Sequence, residues 1–307
     1  MTDALRSEII KVIREDQVRT GELLSGHTTF RVGGPADTFL IPENEEEAVA
    51  LLRLFSDTKE PLMILGNGSN LLISDKGYRG TVILMDHNLE EIRVEGVRIF
   101  AQAGAGLSRI AATAQQNALT GMEFASGIPG TLGGGIVMNA GAYGGEMKDI
   151  VETVTVYEKK SGSVRTIRGE DMDFSYRNSL VKQTGDVVLS AVLRLQEGDV
   201  RLIRERMDEL KEQRVAKQPL EYASAGSTFK RPEGHFAGAL IQDAGLKGFR
   251  VGGAQVSEKH AGFVINTGDA TAEDIITLIR EVRKRVYERS GVLLEPEVCM
   301  IGEDMTV

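Results

Sequence analysis

Two glycine-dense stretches decide how this chain reads: LGNGSNLLIS (residues 65–74) and SGIPGTLGGGIVMNAGAYGGE (residues 126–146). The first follows the strand-like run PLMIL directly. The second holds eight glycines in an otherwise apolar stretch with almost no charge. A flexible surface linker would be richer in polar residues. Small residues let successive backbone N–H groups face one anion, and Ser69 and Asn70 add side-chain donors. Close approach of backbone to a large flat ligand explains the second stretch. Taken singly, each stretch is explained equally well by tight turns and glycine-tolerant packing.

The common nucleotide fingerprints do not fit. No GxxxxGK[ST] occurs, so there is no P-loop. Gly66-Asn67-Gly68 is followed by Ser69, Asn70 and Leu71, and the third glycine of GxGxxG is missing. Gly104-Ala105-Gly106 fails likewise, with Arg109 in that place. A dinucleotide-binding doubly wound sheet is therefore disfavoured.

Outward from these stretches, residues 62–65, 80–84, 97–101, 151–157 and 187–195 read as strands. Helical periodicity marks residues 3–15, 45–58, 200–216 and 272–289. Asn44 with Glu47, and Thr271, are placed as N-caps. Strands and helices come in clumps rather than in strict alternation, which predicts an α+β class. The charged stretch Arg201 to Arg214 is the expected boundary before a C-terminal α/β unit. Three parts are expected: 1–84 rejoined by 293–307, then 85–213, then 214–292.

The 307 residues are 41% hydrophobic and 26% charged, with a net charge of -9. That is ordinary for a folded protein and argues against nucleic acid or an anionic membrane as a main partner. No apolar run approaches the roughly 20 residues of a membrane span. The N-terminus lacks the apolar core of a signal peptide. One cysteine, Cys299, forbids an internal disulfide and a cysteine-based metal cluster, and His27, His87 and His235 have no ligand-like spacing with each other. The expectations are a cytoplasmic location, a monomer and no metal.

LGxGSN, followed by IPGTxGG and NAGAYGxE, resembles the FAD-binding part of the UDP-N-acetylenolpyruvoylglucosamine reductase family. The resemblance continues through FSYRNS (174–179), AGSTFKRP (225–232), LKGFRVGGAQVSEKHAGFVIN (246–266) and LEPEV (294–298), in the family's order over nearly the whole chain. It implies an FAD-binding fold of the vanillyl-alcohol-oxidase type in two subdomains, followed by a substrate domain. The short passage from the strand ending near Leu195 to the helix at 200–216 leaves no room for the tyrosine-bearing loop of longer members. The chain therefore resembles the shorter type.

By that resemblance FAD is bound non-covalently through Gly66, Asn67, Gly68, Ser69 and Asn70, and through Gly127, Ile128, Pro129, Gly130, Gly133, Gly134, Asn139, Ala140 and Gly141. NADPH passes hydride to FAD, and the enolpyruvyl ether of UDP-N-acetylglucosamine accepts it. Adding hydride to the methylene carbon of such an ether leaves extra negative charge on the carboxyl oxygens. A fixed cation or acid is needed there. Arg177, Ser227 and Glu297 match the family's catalytic arginine, proton donor and glutamate. A guanidinium is permanently charged and holds a carboxylate with two hydrogen bonds. A serine hydroxyl is a weak acid, but one positioned against a carbanion-like carbon suffices. By residue alone, Arg177 reads as a surface arginine pairing with Asp173 or Glu170, Ser227 as a turn hydroxyl, and Glu297 as a strand carboxylate.

Lys217 with Arg214, Lys230 with Arg231, and His260 are further candidates for substrate or nucleotide contacts. Each also reads as a plain solvated or polar residue. The family's usual LEPEVR ends here in Cys299 instead of arginine, and its apolar neighbours favour an inert thiol. An oxidase of the wider flavoprotein class is disfavoured, because no histidine lies within 88–234 and Cys299 is far from the glycine-rich stretches. A non-enzymatic flavin or sugar-nucleotide binder would not need Arg177, Ser227 and Glu297 together.

Overall fold

The computed structural model describes residues 2–307. By packing they divide into two compact units. Unit 1 comprises residues up to Arg19, Thr38–Asn67 and Thr81–Gln213; unit 2 comprises Thr20–Asp37, Gly68–Gly80 and Arg214–Val307.

Unit 1 contains a five-stranded antiparallel sheet in the order Ser163–Arg168, Val151–Glu158, Val187–Arg194, Arg98–Gln102, Ile92–Glu95. Its strands alternate in burial. In Arg98–Gln102, Ile99 and Ala101 face the core and Arg98 faces water, as a half-buried pleat requires. Helices α1 (Asp3–Val12) and α2 (Glu45–Ser56) bury Leu5 and Ile9, and Ala48, Leu51, Leu52 and Phe55, in one core that also takes Ile99, Ile110 and Val154. The cap at Asn44 forms, its side chain accepting the Glu47 N–H at 2.9 Å. Helix α3 (Leu107–Gln116) and the short helix α4 (Leu132–Val137) complete the elements behind the glycine-rich stretch. Leu62–Leu65 runs parallel to Thr81–Leu84, so the chain emerges at Gly66 from a strand end. A one-turn helix α5 (Leu180–Thr184) follows the FSYRNS stretch, and α6 (Val200–Lys217) carries the chain out of the unit.

Unit 2 has a second core. Helices α7 (Ala237–Asp243) and α8 (Ala272–Ser290) accompany a three-stranded antiparallel sheet of Arg250–Val251, Ala254–Val256 and Val264–Asn266. Ile275, Ile276, Ile279, Val282 and Val286 of α8 are fully buried. Thr271 caps that helix in a reciprocal box with Asp274, and Asp75 adds both carboxylate oxygens to the N–H groups of Ala272 and Glu273 at 2.8 and 3.0 Å. Cys299–Ile301 pairs in parallel with Leu71–Ile73. The buried Asn266 donates to the Phe30 carbonyl at 3.0 Å, and Phe30, Val32 and Leu72 lie in the same core as α8.

The core of unit 1 continues across residues 84–85 without a break. Thr20–Asp37 and Gly68–Gly80 belong with the C-terminal residues, because Phe30, Val32 and Leu72 supply apolar surface that the C-terminal elements need.

Candidate active site

In unit 1 the two glycine-rich stretches touch. The Asn67 side chain donates to the Pro129 carbonyl at 2.6 Å. A Cβ on Gly66 would lie 2.5 Å from Thr131 Oγ1. Thr131 in turn caps α4, accepting the Gly134 N–H at 3.5 Å. The helix is seated by the Leu132 and Gly133 N–H groups, which donate to the Ala105 and Ala103 carbonyls at 2.8 Å each. Its three glycines differ in purpose. A Cβ on Gly133 would press on Ala103 at 3.1 Å, and one on Gly135 would press on Leu107 at 3.1 Å. Gly134 is exposed, and a Cβ there would meet only Thr131 Oγ1, at 3.6 Å. Packing therefore explains two glycines, and a bare face toward open space is left at the third. That face fits a flat ligand lying against backbone.

Other predicted contacts acquire internal duties. Gly68 has φ +57, and a Cβ there would lie 2.1 Å from the His27 carbonyl oxygen, so glycine is required by the fold itself. Asn70 spends its amide on the Glu297 carbonyl at 3.3 Å, and its own carbonyl accepts the Cys299 N–H at 2.9 Å. Asn139 is buried and holds Glu146 and the Ser175 carbonyl. Gly141 sits in a two-residue pairing with Glu146, where a Cβ would meet Glu146 Cγ at 2.7 Å. Ile128 donates its N–H to Ala125. Ser69, Gly127, Gly130 and Ala140 lie in the same stretches.

Arg177 occupies the third position of a tight turn. Ser175 and Asn178 exchange N–H···O bonds of 3.1 and 3.2 Å. Arg177 has φ +55, a left-handed position ordinarily given to glycine or asparagine. Its guanidinium lies 5.1 Å from the Tyr176 ring centroid, and its carbonyl accepts from Lys182 Nζ at 2.8 Å. Nearby, Glu170 pairs with Arg168, and Asp173 accepts from Gln183. A non-glycine residue held in a strained conformation is a pointer to function.

In unit 2, Ser227 and Glu297 come from neighbouring segments. Thr228 accepts the Glu297 N–H at 2.8 Å, Phe229 bridges Pro296, and Lys230 donates its N–H to Glu295 at 2.8 Å. Thr228 also donates its N–H to Gly262 at 2.9 Å, and its hydroxyl accepts the Val264 N–H at 2.9 Å. Ser227 is exposed and Glu297 is half-buried. Glu295 instead pairs with Lys230 Nζ at 3.0 Å on the surface, which separates the two glutamates. Arg231 stacks over Phe236 at 4.1 Å. Lys217 is exposed at the end of α6. His260 accepts the Gly262 N–H at Nδ1 (3.1 Å) and packs edge-on to Phe263. Burial holds its pKa below the usual histidine value, and Lys247 adds to the effect.

Residues 36–195 match the FAD binding domain family, and residues 218–301 match the family described as UDP-N-acetylenolpyruvoylglucosamine reductase, C-terminal domain. The protein named UDP-N-acetylenolpyruvoylglucosamine reductase in Caldanaerobacter subterraneus is 48% identical over 303 residues, covering 99% of this chain and 100% of that protein. This chain belongs to the UDP-N-acetylenolpyruvoylglucosamine reductase family. A family member of the same name from Exiguobacterium sibiricum is 49% identical over 99% of both chains. The solved family structure from Thermus caldophilus is 36% identical, with a TM-score of 0.80 over 93% of this chain and all of that one. An alkyldihydroxyacetonephosphate synthase shares the fold alone, at 15% identity and TM-score 0.50 over 64% of this chain and 41% of that one. The fold is thus α+β, with an FAD-binding domain of the vanillyl-alcohol-oxidase type and the reductase family's C-terminal domain.

Sequence reasoning missed Thr131, Glu146, Ser179 and Lys182. Only the Thr131-x-x-Gly134 spacing at the start of α4 offered a cap signal.

Proposed function

We propose that this chain is the FAD-dependent reductase that converts UDP-N-acetylglucosamine enolpyruvate to UDP-N-acetylmuramate in peptidoglycan precursor synthesis. NADPH is the hydride donor, and the protein acts as a cytoplasmic monomer. The observation that carries the reading over a mere binding module is the pairing of the Ser227 and Glu297 segments through Thr228. A hydroxyl donor and a carboxyl group are there supplied by chain segments far apart in sequence. Bound FAD, held by the glycine-rich stretches, supplies the relay of hydride from NADPH to the substrate.

The remaining chemistry falls to the chain's own residues. Net, one hydride and one proton add across the carbon–carbon double bond of the enolpyruvyl group, and NADPH leaves as NADP+. Arg177 holds the substrate carboxylate and counters the charge that grows on its oxygens. Ser227 gives its proton to the carbon bearing the carboxylate. Glu297 supports the same charge as an acid or by orienting the cation. Lys217, Lys230 and His260 serve the substrate's diphosphate and nucleotide end, with Lys230 released from Glu295 to do so.

The test separates the half-reactions by stopped-flow flavin absorbance. Ser227→Ala is expected to bleach with NADPH at near the normal rate. Its reoxidation by the enolpyruvyl substrate is expected to slow by about 10²–10⁴-fold. Equal slowing of both halves would remove Ser227 from the chemistry.

A further inference from the structure

The turn that carries Arg177 is fastened at both ends to the stretch with which the flavin domain faces its ligand. Two residues before Arg177, the Ser175 carbonyl accepts from Asn139 Nδ2 at 3.1 Å. Two residues after it, the Ser179 hydroxyl donates to the Val137 carbonyl at 2.8 Å. Val137 ends α4, and Asn139 begins the NAGAYGGE run. Both tethering side chains are buried, Asn139 at 1% and Ser179 at 0% exposure. Water therefore offers little competition for these bonds.

The Nδ2 of Asn139 also donates to Glu146 Oε2 at 2.7 Å, and its Oδ1 accepts the Lys148 N–H at 3.0 Å. It has φ +42, a conformation asparagine tolerates better than most residues. Both donors of the amide are thus taken by protein partners, and its oxygen by one.

We propose that Asn139 and Ser179 are positioning residues for Arg177: they lock the turn at 175–178 onto residues 137–139, so that the guanidinium is registered to the flavin-binding stretch. The strained φ of Arg177 gives the need for such a lock. A free turn with a non-glycine residue at that position would relax, and a misplacement of about 1 Å costs roughly 10²-fold in a positioned reaction. The proposal rests on the reading of Arg177 as the substrate-carboxylate cation.

The experiment uses the FAD-loaded protein with three variants. Asn139→Gly keeps the left-handed backbone and removes the tether. Asn139→Asp with Glu146→Gln restores a donor–acceptor pair between 139 and 146, yet leaves no donor for Ser175. Arg177→Lys is the reference. Both Asn139 variants should keep normal flavin content and reduction by NADPH within about twofold. Their reoxidation by UDP-N-acetylglucosamine enolpyruvate at saturation should slow by about 10–10²-fold. Hydrogen exchange at the Ser175 and Asn178 amides should quicken in both. Full-speed reoxidation with quickened exchange would overturn the positioning role, and so would recovery of rate in the double variant. If Arg177→Lys itself reoxidises normally, the reading of Arg177 fails, and that result is separate from either outcome at Asn139.

Discussion

Arg177 gives a prediction in which fold and function pull apart. Replace it by glycine in one variant and by alanine in another. Both lose the guanidinium and its stacking on Tyr176, and both keep the carbonyl that Lys182 holds. The comparison therefore isolates the backbone. At an ordinary φ, glycine is less stable than alanine by roughly 0.5–1 kcal/mol. At φ +55 the order reverses, because a Cβ in the left-handed region costs roughly 1–2 kcal/mol. Offsetting one against the other leaves Arg177→Gly ahead of Arg177→Ala by about 0.5–1 kcal/mol, which is about 1–1.5 °C in melting temperature for a chain of this length. Thermal unfolding of the apoproteins measures it, and stopped-flow reoxidation should be slowed alike in both. An alanine variant as stable as the glycine variant would mean that the turn is unstrained, and that arginine stands there at no cost.

The glycines offer a sharper test of the flavin site. Gly134→Leu should fold normally and lose FAD, since its side chain enters the open face, whereas Gly68→Ala should lose folded protein altogether through its clash with His27; flavin content per folded protein and melting temperature distinguish them. His260 should make stability depend on pH. Its folded pKa lies below the unfolded value of 6.5, so the unfolded state binds more protons, and stability should fall as pH drops through about 6.5 toward the folded value. Unfolding free energies at several pH values should show a shallower slope for His260→Gln than for the parent, and equal slopes would contradict the assignment.

What the sequence made legible was local. The caps at Asn44 and Thr271 and the apolar stripes of α1, α2 and α8 are written within a few residues, and they formed where expected. Helix α4 was illegible because LGGGIV has almost no intrinsic helix preference; the Thr131 cap and burial against Ala103 and Leu107 make it. The hairpin strand Ser163–Arg168 is nearly all exposed and carries no apolar alternation to announce it. The glycine-rich stretches were legible as unusual, and the family motifs named Arg177, Ser227 and Glu297. The duties of Asn67, Asn70 and Asn139 were not legible, since their carbonyl partners lie 62, 227 and 36 residues away.

The makeup of unit 2 bears on how the chain comes off the ribosome. Residues 218–301 form a recognisable family domain by sequence, yet the core they belong to also contains Phe30, Val32 and Leu72, and Cys299–Ile301 pairs with Leu71–Ile73. Expressed alone, the C-terminal segment would present an open apolar seam where those residues belong. In the full chain, residues 20–37 and 68–80 are made early, and more than 130 residues follow them before the C-terminal part of their core begins at Arg214. Closing loops of that length is slow. The unit should therefore be the last part of the nascent protein to gain protease resistance, and its early segments are natural places for a chaperone to hold.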